Sequence, residues 1–334
     1  MTALTDGYAA IVLMGAAGLD FWVGDPWHWP HPVQGMGWLI RQYTDLMFKA
    51  TKGTTASAMG LTGAGILLTL VLVVGSAAVG WGLIALARWF HPGLGLGLEI
   101  VLLASCLAGR SLRDAAEDVL APLGAGDVPA ARQRLSRYVG RDTQDLDRPE
   151  MLRAVFETVA ENSVDGIMGP LFYALVGAVT PLGSAPLALA YKAASTLDSM
   201  VGYREAPYTH IGWCSAKVED GLTWLPCRLT VLTLALLSGH PGRVIKRCRR
   251  DAVADPSPNS GWSECAYAAS LGVQVGGTNV YRGVVKVKPL MGDPVRPITP
   301  EVVRAALGLN RISFLLWLGV SVFGWGLWKA LQLY

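Results

Sequence analysis

Charge is scarce in this sequence. Only 16% of its 334 residues are Asp, Glu, Lys or Arg, against about 25% in an average soluble domain. Together with 52% hydrophobic residues, that figure excludes a disordered chain and argues against an ordinary water-soluble enzyme. The net charge is +3 with mixed signs, which leaves no electrostatic footprint for nucleic acid. Cysteine is sparse, odd in number and scattered: Cys106, Cys214, Cys227, Cys248 and Cys265 include no CxxC pair. Neither a disulfide framework nor a thiolate zinc site follows from such spacing. No basic residue precedes Arg41, so the apolar stretch Tyr8–Val23 lacks the positive flank of a signal peptide and reads as a retained helix. There is no GxxxxGK[ST] run and no GxGxxG after a strand, so a nucleotide here would not use a standard phosphate loop. No internal repeat is visible.

What is abundant is uncharged length. A spanning helix needs about 20 mostly apolar residues. Leu61–Ala87 and Ile312–Trp328 are free of charge, and so is Ile167–Tyr191, although Pro170, Pro181, Gly183 and Pro186 interrupt it. Weaker candidates are Tyr8–Val23, Leu94–Gly109 and Leu222–Gly239, each with one ionisable residue: Asp20, Glu99 and Arg228. Twelve Trp and 39 Gly agree with membrane interfaces and membrane helices. The fold class expected is an all-α integral membrane protein: a multispanning helical bundle, one polytopic domain over residues 1–334, with helical and loop-rich cytoplasmic segments. Those polar stretches are about 24–60, 110–162 and 240–311, and the positive-inside rule places them in the cytoplasm. Asp147 marks a helix start. Parity is open. If Ile167–Ser195 crosses once, Thr196–Gly221 is outside. If it is a hairpin of two Pro-broken helices, Leu222–Gly239 dips in without crossing. The second arrangement is the one expected here.

Four polar clusters could carry chemistry. Asp20, Asp25, His28 and His31 follow an apolar helix, and read either as a metal or substrate site or as a capped helix end with Pro-rich turns. Glu157, Glu161 and Asp165 are spaced i, i+4, i+8, one face of a regular helix, with Asn162 beside them. Hard oxygen ligands there suit Mg²⁺ and phosphate; the alternative is a solvated acidic face. Lys192 and Arg204 flank Asp198 and read equally as anion binders or as a snorkelling Lys beside a helix cap at Thr196 or Asp198. Lys217, Glu219 and Asp220 read as surface charges. Asp255-Pro-Ser-Pro-Asn259 and Gly276-Gly277-Thr278-Asn279 form either an anion-cradling ordered loop or connecting turns.

At these residues the chain resembles the cobalamin-biosynthesis family of adenosylcobinamide-phosphate synthases, CobD/CbiB. The matching runs are Leu19-Asp20, Gly24-Asp25-Pro26, His31-Pro32-Val33, Glu161-Asn162, Asp165-Gly166, Pro170–Tyr173, Thr196–Arg204 and Pro256–Asn259 with Gly261. They extend from about Leu19 to Gly292. The resemblance implies a multi-pass protein of the bacterial inner membrane with a cytoplasmic active site. It implies amide ligation of a corrinoid, adenosylcobyric acid, to an amino-alcohol phosphate, (R)-1-aminopropan-2-ol phosphate, driven by ATP. Mg²⁺ should accompany the ATP. Other corrinoid-pathway membrane enzymes are expected partners, besides the lipid bilayer. The alternatives are a non-catalytic AmpE-like membrane regulatory protein and a small-anion transporter.

Residue chemistry, rather than the resemblance, suggests the roles. Asp25, His31, Glu157, Lys192 and Asp198 are the expected catalytic groups. Asn162, Arg204, Asn259, Glu264 and Asn279 are expected to bind substrate or phosphate. Glu161, Asp165 and Asp20 are expected to hold the metal. Trp22, Trp27 and Trp29 offer a surface for the corrinoid.

Overall fold

The computed structural model describes residues 3–25, 31–51 and 58–332. In chain order the helices are α1 (Ala3–Trp22), α2 (Pro32–Thr51), α3 (Ala58–Phe90), α4 (Pro92–Ala104), α5 (Gly109–Gly124), α6 (Val128–Leu135) and α7 (Arg148–Ser163). A π-helical turn, Val164–Met168, joins α7 to α8 (Gly169–Ala178), followed by α9 (Ser184–Val201), α10 (Trp213–Leu237), α11 (Pro241–Asp251) and α12 (Ser260–Leu271). An antiparallel hairpin, β1 (Gln274–Tyr281) and β2 (Val284–Gly292), precedes α13 (Pro300–Gln332). The all-α membrane class is borne out. Ala58–Phe90, Pro92–Gly124, Trp213–Leu237 and Pro300–Gly324 are long and apolar enough to cross a bilayer, and Gly7–Trp22 is a shorter apolar helix.

Two expectations about the middle of the chain meet different outcomes. The Pro-broken segment is a helical hairpin: α8 and α9 pack together on either side of Val179–Gly183. Leu222–Gly239, expected to dip in without crossing, forms with the residues before it the continuous 25-residue α10, which is long and apolar enough to cross a bilayer. Pro226 sits within it, and the structure accommodates the missing donor without ending the helix. The sequence reading began that segment too late, because Lys217, Glu219 and Asp220 looked like solvent-exposed charges.

The described chain forms two compact units: Met1–Ala108, Gly169–Thr223 and Leu318–Tyr334 in the first, Gly109–Met168 and Trp224–Trp317 in the second. In the first, α3 packs on α9 and α4, and α1 on α4. Gly80 permits the α3–α9 approach, since a Cβ there would lie 2.5 Å from Leu189; small residues serve the same end at membrane helix interfaces generally. Buried Glu99 ties the unit together. It accepts from Tyr8 Oη at 2.8 Å, from Arg88 Nη2 at 2.6 Å and from the Ser184 N–H that opens α9 at 3.2 Å. An acid in an apolar helix is tolerated only with such partners.

In the second unit, α7 is packed against α5, α6 and α12, and the hairpin rests on α11 and α12. Phe156, Met151, Leu120 and Tyr267 are buried in its core. Asp147 caps α7 as the sequence indicates, accepting from the Glu150 N–H at 2.9 Å, with Pro149 in the first turn. The hairpin was read from sequence as loop. Its Gly pair explains that: Gly276 and Gly277 both have positive φ, at 89° and 91°, where β1 bulges, and glycine inside a strand signals such a bulge.

Candidate functional site

The first unit holds the N-terminal cluster. Leu19 O accepts from Val23 and Gly24 N–H, and Gly24, at φ 66°, closes α1 in the left-handed conformation. Asp20 is buried in the last turn of α1. His31 stands at the start of α2. Its Nδ1 accepts from the Val33 N–H at 3.2 Å, so Nε2 carries the proton and donates to Asp25 Oδ1 at 3.1 Å. His31 therefore caps a helix, and its ring is oriented by a carboxylate. His28, Trp27 and Trp29 lie outside the described residues. Trp22 is exposed.

The third cluster is helical as far as Val201. Lys192, Thr196 and Asp198 lie inside α9, so of the two readings the helix cap at Thr196 or Asp198 does not hold at its N-terminal end; Asp198 sits one turn from the C-terminal end. Gly202 must be glycine, because a Cβ would lie 1.9 Å from Asp198 Oδ1. Arg204 follows in the exposed turn after α9, where its backbone carbonyl accepts from Thr209 Oγ1 at 3.1 Å. Glu219 is not a surface charge: it is buried and accepts from Thr223 Oγ1, which also bonds Tyr191 Oη at 2.9 Å.

The second unit contains the densest polar network. Arg153 and Glu157, one turn apart on α7, pair at 2.9 Å. Arg153 also donates to Gly276 O at 2.6 Å, Thr278 O at 3.2 Å and Asn279 Oδ1 at 3.0 Å, and pairs with Glu150. Glu157 receives the Gly276 N–H at 2.9 Å and pairs with Arg141. A Cβ at Gly276 would lie 2.0 Å from Pro289 O, so the residue facing Glu157 is glycine of necessity. The glycine-rich stretch does cradle an anion, but the anion is the protein's own Glu157. Burial pushes the Glu157 carboxyl up, and the Arg141 and Arg153 guanidinium groups outweigh it and hold the carboxyl below the usual range. Glu157 and Asn279 are thus positioning residues that lock α7 to the hairpin.

Glu161, one turn further on, is different. It is exposed to solvent, and its carboxylate makes no hydrogen bond or ion pair among the described residues. Crowding by protein nevertheless pushes its carboxyl up, despite the nearby Lys288 ammonium. Glu264 on α12 is fully buried, with Lys288 of β2 bonded to Oε1. Burial, with the charges of Glu161 and Glu157, pushes its carboxyl up to about 8 against the pull of Lys288. Oε2 of Glu264 and Nη1 of Arg141 are buried and without a hydrogen-bond partner among the described residues. Asp255 adjoins this group and accepts from Ser257 N–H at 2.9 Å. Gly261 lets it pack closely, since a Cβ there would lie 2.5 Å from Asp255 Cβ. Arg228 of α10 holds that loop: its guanidinium lies 4.3 Å over the Trp262 ring and donates to Pro258 O at 2.9 Å.

The expected metal set is not brought together. Asp165 lies in the π turn Val164–Met168, outside α7, which carries Glu157 and Glu161. Asp20 belongs to the first unit. Among the described residues no group of three or more His, Cys, Asp or Glu is arranged to hold a metal ion. Asn162 is exposed and donates to Thr158 O at 2.9 Å, and Asn259 is buried at the start of α12, its carbonyl accepting from Cys227 Sγ at 3.3 Å. Arg141, Arg153 and Lys288 were missed. Arg153 was legible as a basic residue four before Glu157; Lys288 lies in an unrecognised strand.

The family described as CobD/Cbib protein matches residues 13–310. The chain is 50% identical over 317 residues to a cobalamin biosynthesis protein CobD of Synechocystis sp., covering 94% of this chain and 92% of that protein. It is 41% identical over 308 residues to a cobalamin biosynthesis protein CbiB of Salmonella typhimurium, covering 91% and 93%. A cobalamin biosynthesis protein CobD of Halalkalibacterium halodurans is 40% identical over 320 residues, covering 92% and 95%. No solved structure matches.

Proposed function

The chain belongs to the CobD/CbiB family of cobalamin biosynthesis proteins, and on that premise we propose that it is an adenosylcobinamide-phosphate synthase. It joins a carboxylate of adenosylcobyric acid to the amine of (R)-1-aminopropan-2-ol phosphate in an amide bond, at the expense of ATP. The observation that carries this reading is the wet Glu161 carboxylate beside the buried Glu264–Lys288 pair, a site of mixed charge fit for phosphorylated and ammonium-bearing substrates.

The chemistry sets the requirements. A carboxylate is a poor electrophile at neutral pH. Transfer of the ATP γ-phosphoryl group to it breaks the β–γ P–O bond and gives ADP and an acyl phosphate. The amine, having lost a proton, attacks the acyl carbon. The C–N bond forms, the C–O bond to phosphate breaks, and inorganic phosphate leaves. Mg²⁺ retains several waters and is usually bound by one or two carboxylates with substrate phosphate oxygens, which the solvent-reached Glu161 fits. When bound, it would offset charge on the phosphoryl oxygens. Lys288 supplies a fixed positive charge, and Arg141, Arg153, Glu157 and Asn279 fix the position of α7. In the first unit, Asp25, His31, Lys192, Asp198 and Arg204 are the proposed substrate-contacting groups. The test is complementation of a strain blocked between cobyric acid and cobinamide. The wild-type gene should restore cobalamin synthesis and the Glu161→Gln gene should not; growth with neither would refute the assignment.

The proposed site faces the cytoplasm of a bacterial inner membrane, where ATP resides. The four exposed basic residues of α11, Arg243, Lys246, Arg249 and Arg250, directly follow α10 and support that side. Only Cys214 of the native cysteines is not buried, so a Cys214→Ala background suffices for labelling. A cysteine at exposed Ala254 should react with a membrane-impermeant maleimide in inverted vesicles and not in intact spheroplasts. The reverse would place α11 outside.

A further inference from the structure

The exposed surface of the second unit changes chemistry where α10 ends. Leu225, Leu229, Leu232 and Leu236 are all exposed. They recur every three or four residues and so form one stripe along the helix. The opposite face, with Cys227, Val231 and Leu234, is buried in the core. From Leu225 to Leu236 the stripe is about 16 Å long at 1.5 Å per residue, the depth of one leaflet in a hydrocarbon core about 30 Å thick. The following helix of the chain's end repeats the order: Ile312, Leu315 and Leu316 of α13 are exposed directly after exposed Arg311. Trp317, beside them, donates to Thr233 Oγ1 of α10 at 2.9 Å.

Basic residues take over where the stripe stops. Only Ser238–His240 separate α10 from α11, at most about 15 Å of chain from Leu237 to Pro241. Val244 and Cys248 of α11 are buried in the same core, and helical spacing sets exposed Arg243, Lys246 and Arg249 on the side opposite them. Arg247 and Arg250 are paired with Asp293. The side chains of Arg243, Lys246 and Arg249 make no hydrogen bond or ion pair among the described residues. Three cations without a counter-charge at the end of a leaflet-length apolar stripe call for a ligand that is apolar along its length and anionic at its head. An acidic protein or a soluble phosphate would meet the cations and leave the leucines in water. We propose that the α10–α11 corner binds an anionic phospholipid of the adjoining leaflet, its acyl chains along the leucine stripe and its phosphate against Arg243, Lys246 and Arg249. The proposal is independent of the ligase reading.

The test uses the full-length protein reconstituted in phosphatidylcholine vesicles. A trace of dansyl-phosphatidylglycerol or dansyl-phosphatidylcholine is added, and energy transfer from tryptophan gives the relative affinity for the two. Trp224, exposed at the start of the stripe, is a built-in donor. A Lys or Arg beside an anionic headgroup contributes roughly fivefold. Wild type should therefore prefer phosphatidylglycerol by about 10²-fold, and Arg243→Gln/Lys246→Gln/Arg249→Gln should lose most of that preference. No preference in wild type, or an undiminished one in the triple variant, would overturn the proposal. Displacement of dansyl-phosphatidylglycerol from wild type by excess glycerol phosphate would assign the cations to a soluble anion and overturn it as well. Labelling of a cysteine at Ala254 checks the orientation of the triple variant. If that variant is inverted or unfolded, Arg249→Gln alone decides: a roughly fivefold loss of preference supports the site, and an unchanged preference refutes it.

Discussion

Arg153→Met is expected to destabilise the protein by about 3–5 kcal/mol, the usual cost of removing one partner from a buried ion pair. The substitution keeps the bulk of the side chain but strips Glu157 of one guanidinium and leaves Gly276 O, Thr278 O and Asn279 Oδ1 without their donor. Both Arg153 and Glu157 are buried, so solvent does little to replace the lost bonds. Thermal or denaturant unfolding in detergent measures the effect. The double variant Arg153→Met/Glu157→Leu should recover part of the loss, because no uncompensated charge then remains. A loss below about 1 kcal/mol, typical of exposed pairs, would show that the network is not what holds α7 to the hairpin.

Glu161→Gln is the complementary case. Glu161 is solvent-reached and carries no partner among the described residues, so stability should hardly change. Activity should fall sharply: kcat for amide formation is expected to drop by roughly 10²-fold or more, since charge stabilisation through a metal is worth several kcal/mol. A fall in stability with normal kcat would invert the roles given to Glu157 and Glu161. Two acids one turn apart on α7 thus make opposite predictions, and the pair of variants distinguishes a structural acid from a functional one.

How much of this could be read from the sequence depends on the kind of signal. Charge-free length revealed the spans, and the prolines at 170, 181 and 186 revealed that one of them is a hairpin. Asp147 announced the start of α7. Side-chain partners across distant segments were not legible. Spacing alone put Glu157, Glu161 and Asp165 on one regular helix, but Asp165 falls in the π turn after Ser163, where the α-helical repeat no longer applies. Glu157 is consumed by Arg141, Arg153 and the Gly276 N–H, which lie elsewhere in the chain or on the same helix. Glu219 looked solvated because its neighbours Lys217 and Asp220 are charged, whereas Thr223 and the Tyr191 hydroxyl beyond it close a buried polar chain around it. Lys288 sits in β2, paired with a strand whose bulge holds two glycines, a pattern that reads as loop until the two strands are seen together.

The measurement that bears most directly on the central claim is substrate-dependent ATP turnover by the purified protein in detergent. ADP release should require both cobyric acid and (R)-1-aminopropan-2-ol phosphate for full rate, with one amide formed per ATP consumed. Turnover that ignores the corrinoid, or ATP use with no amide product when both substrates are present, would contradict the account.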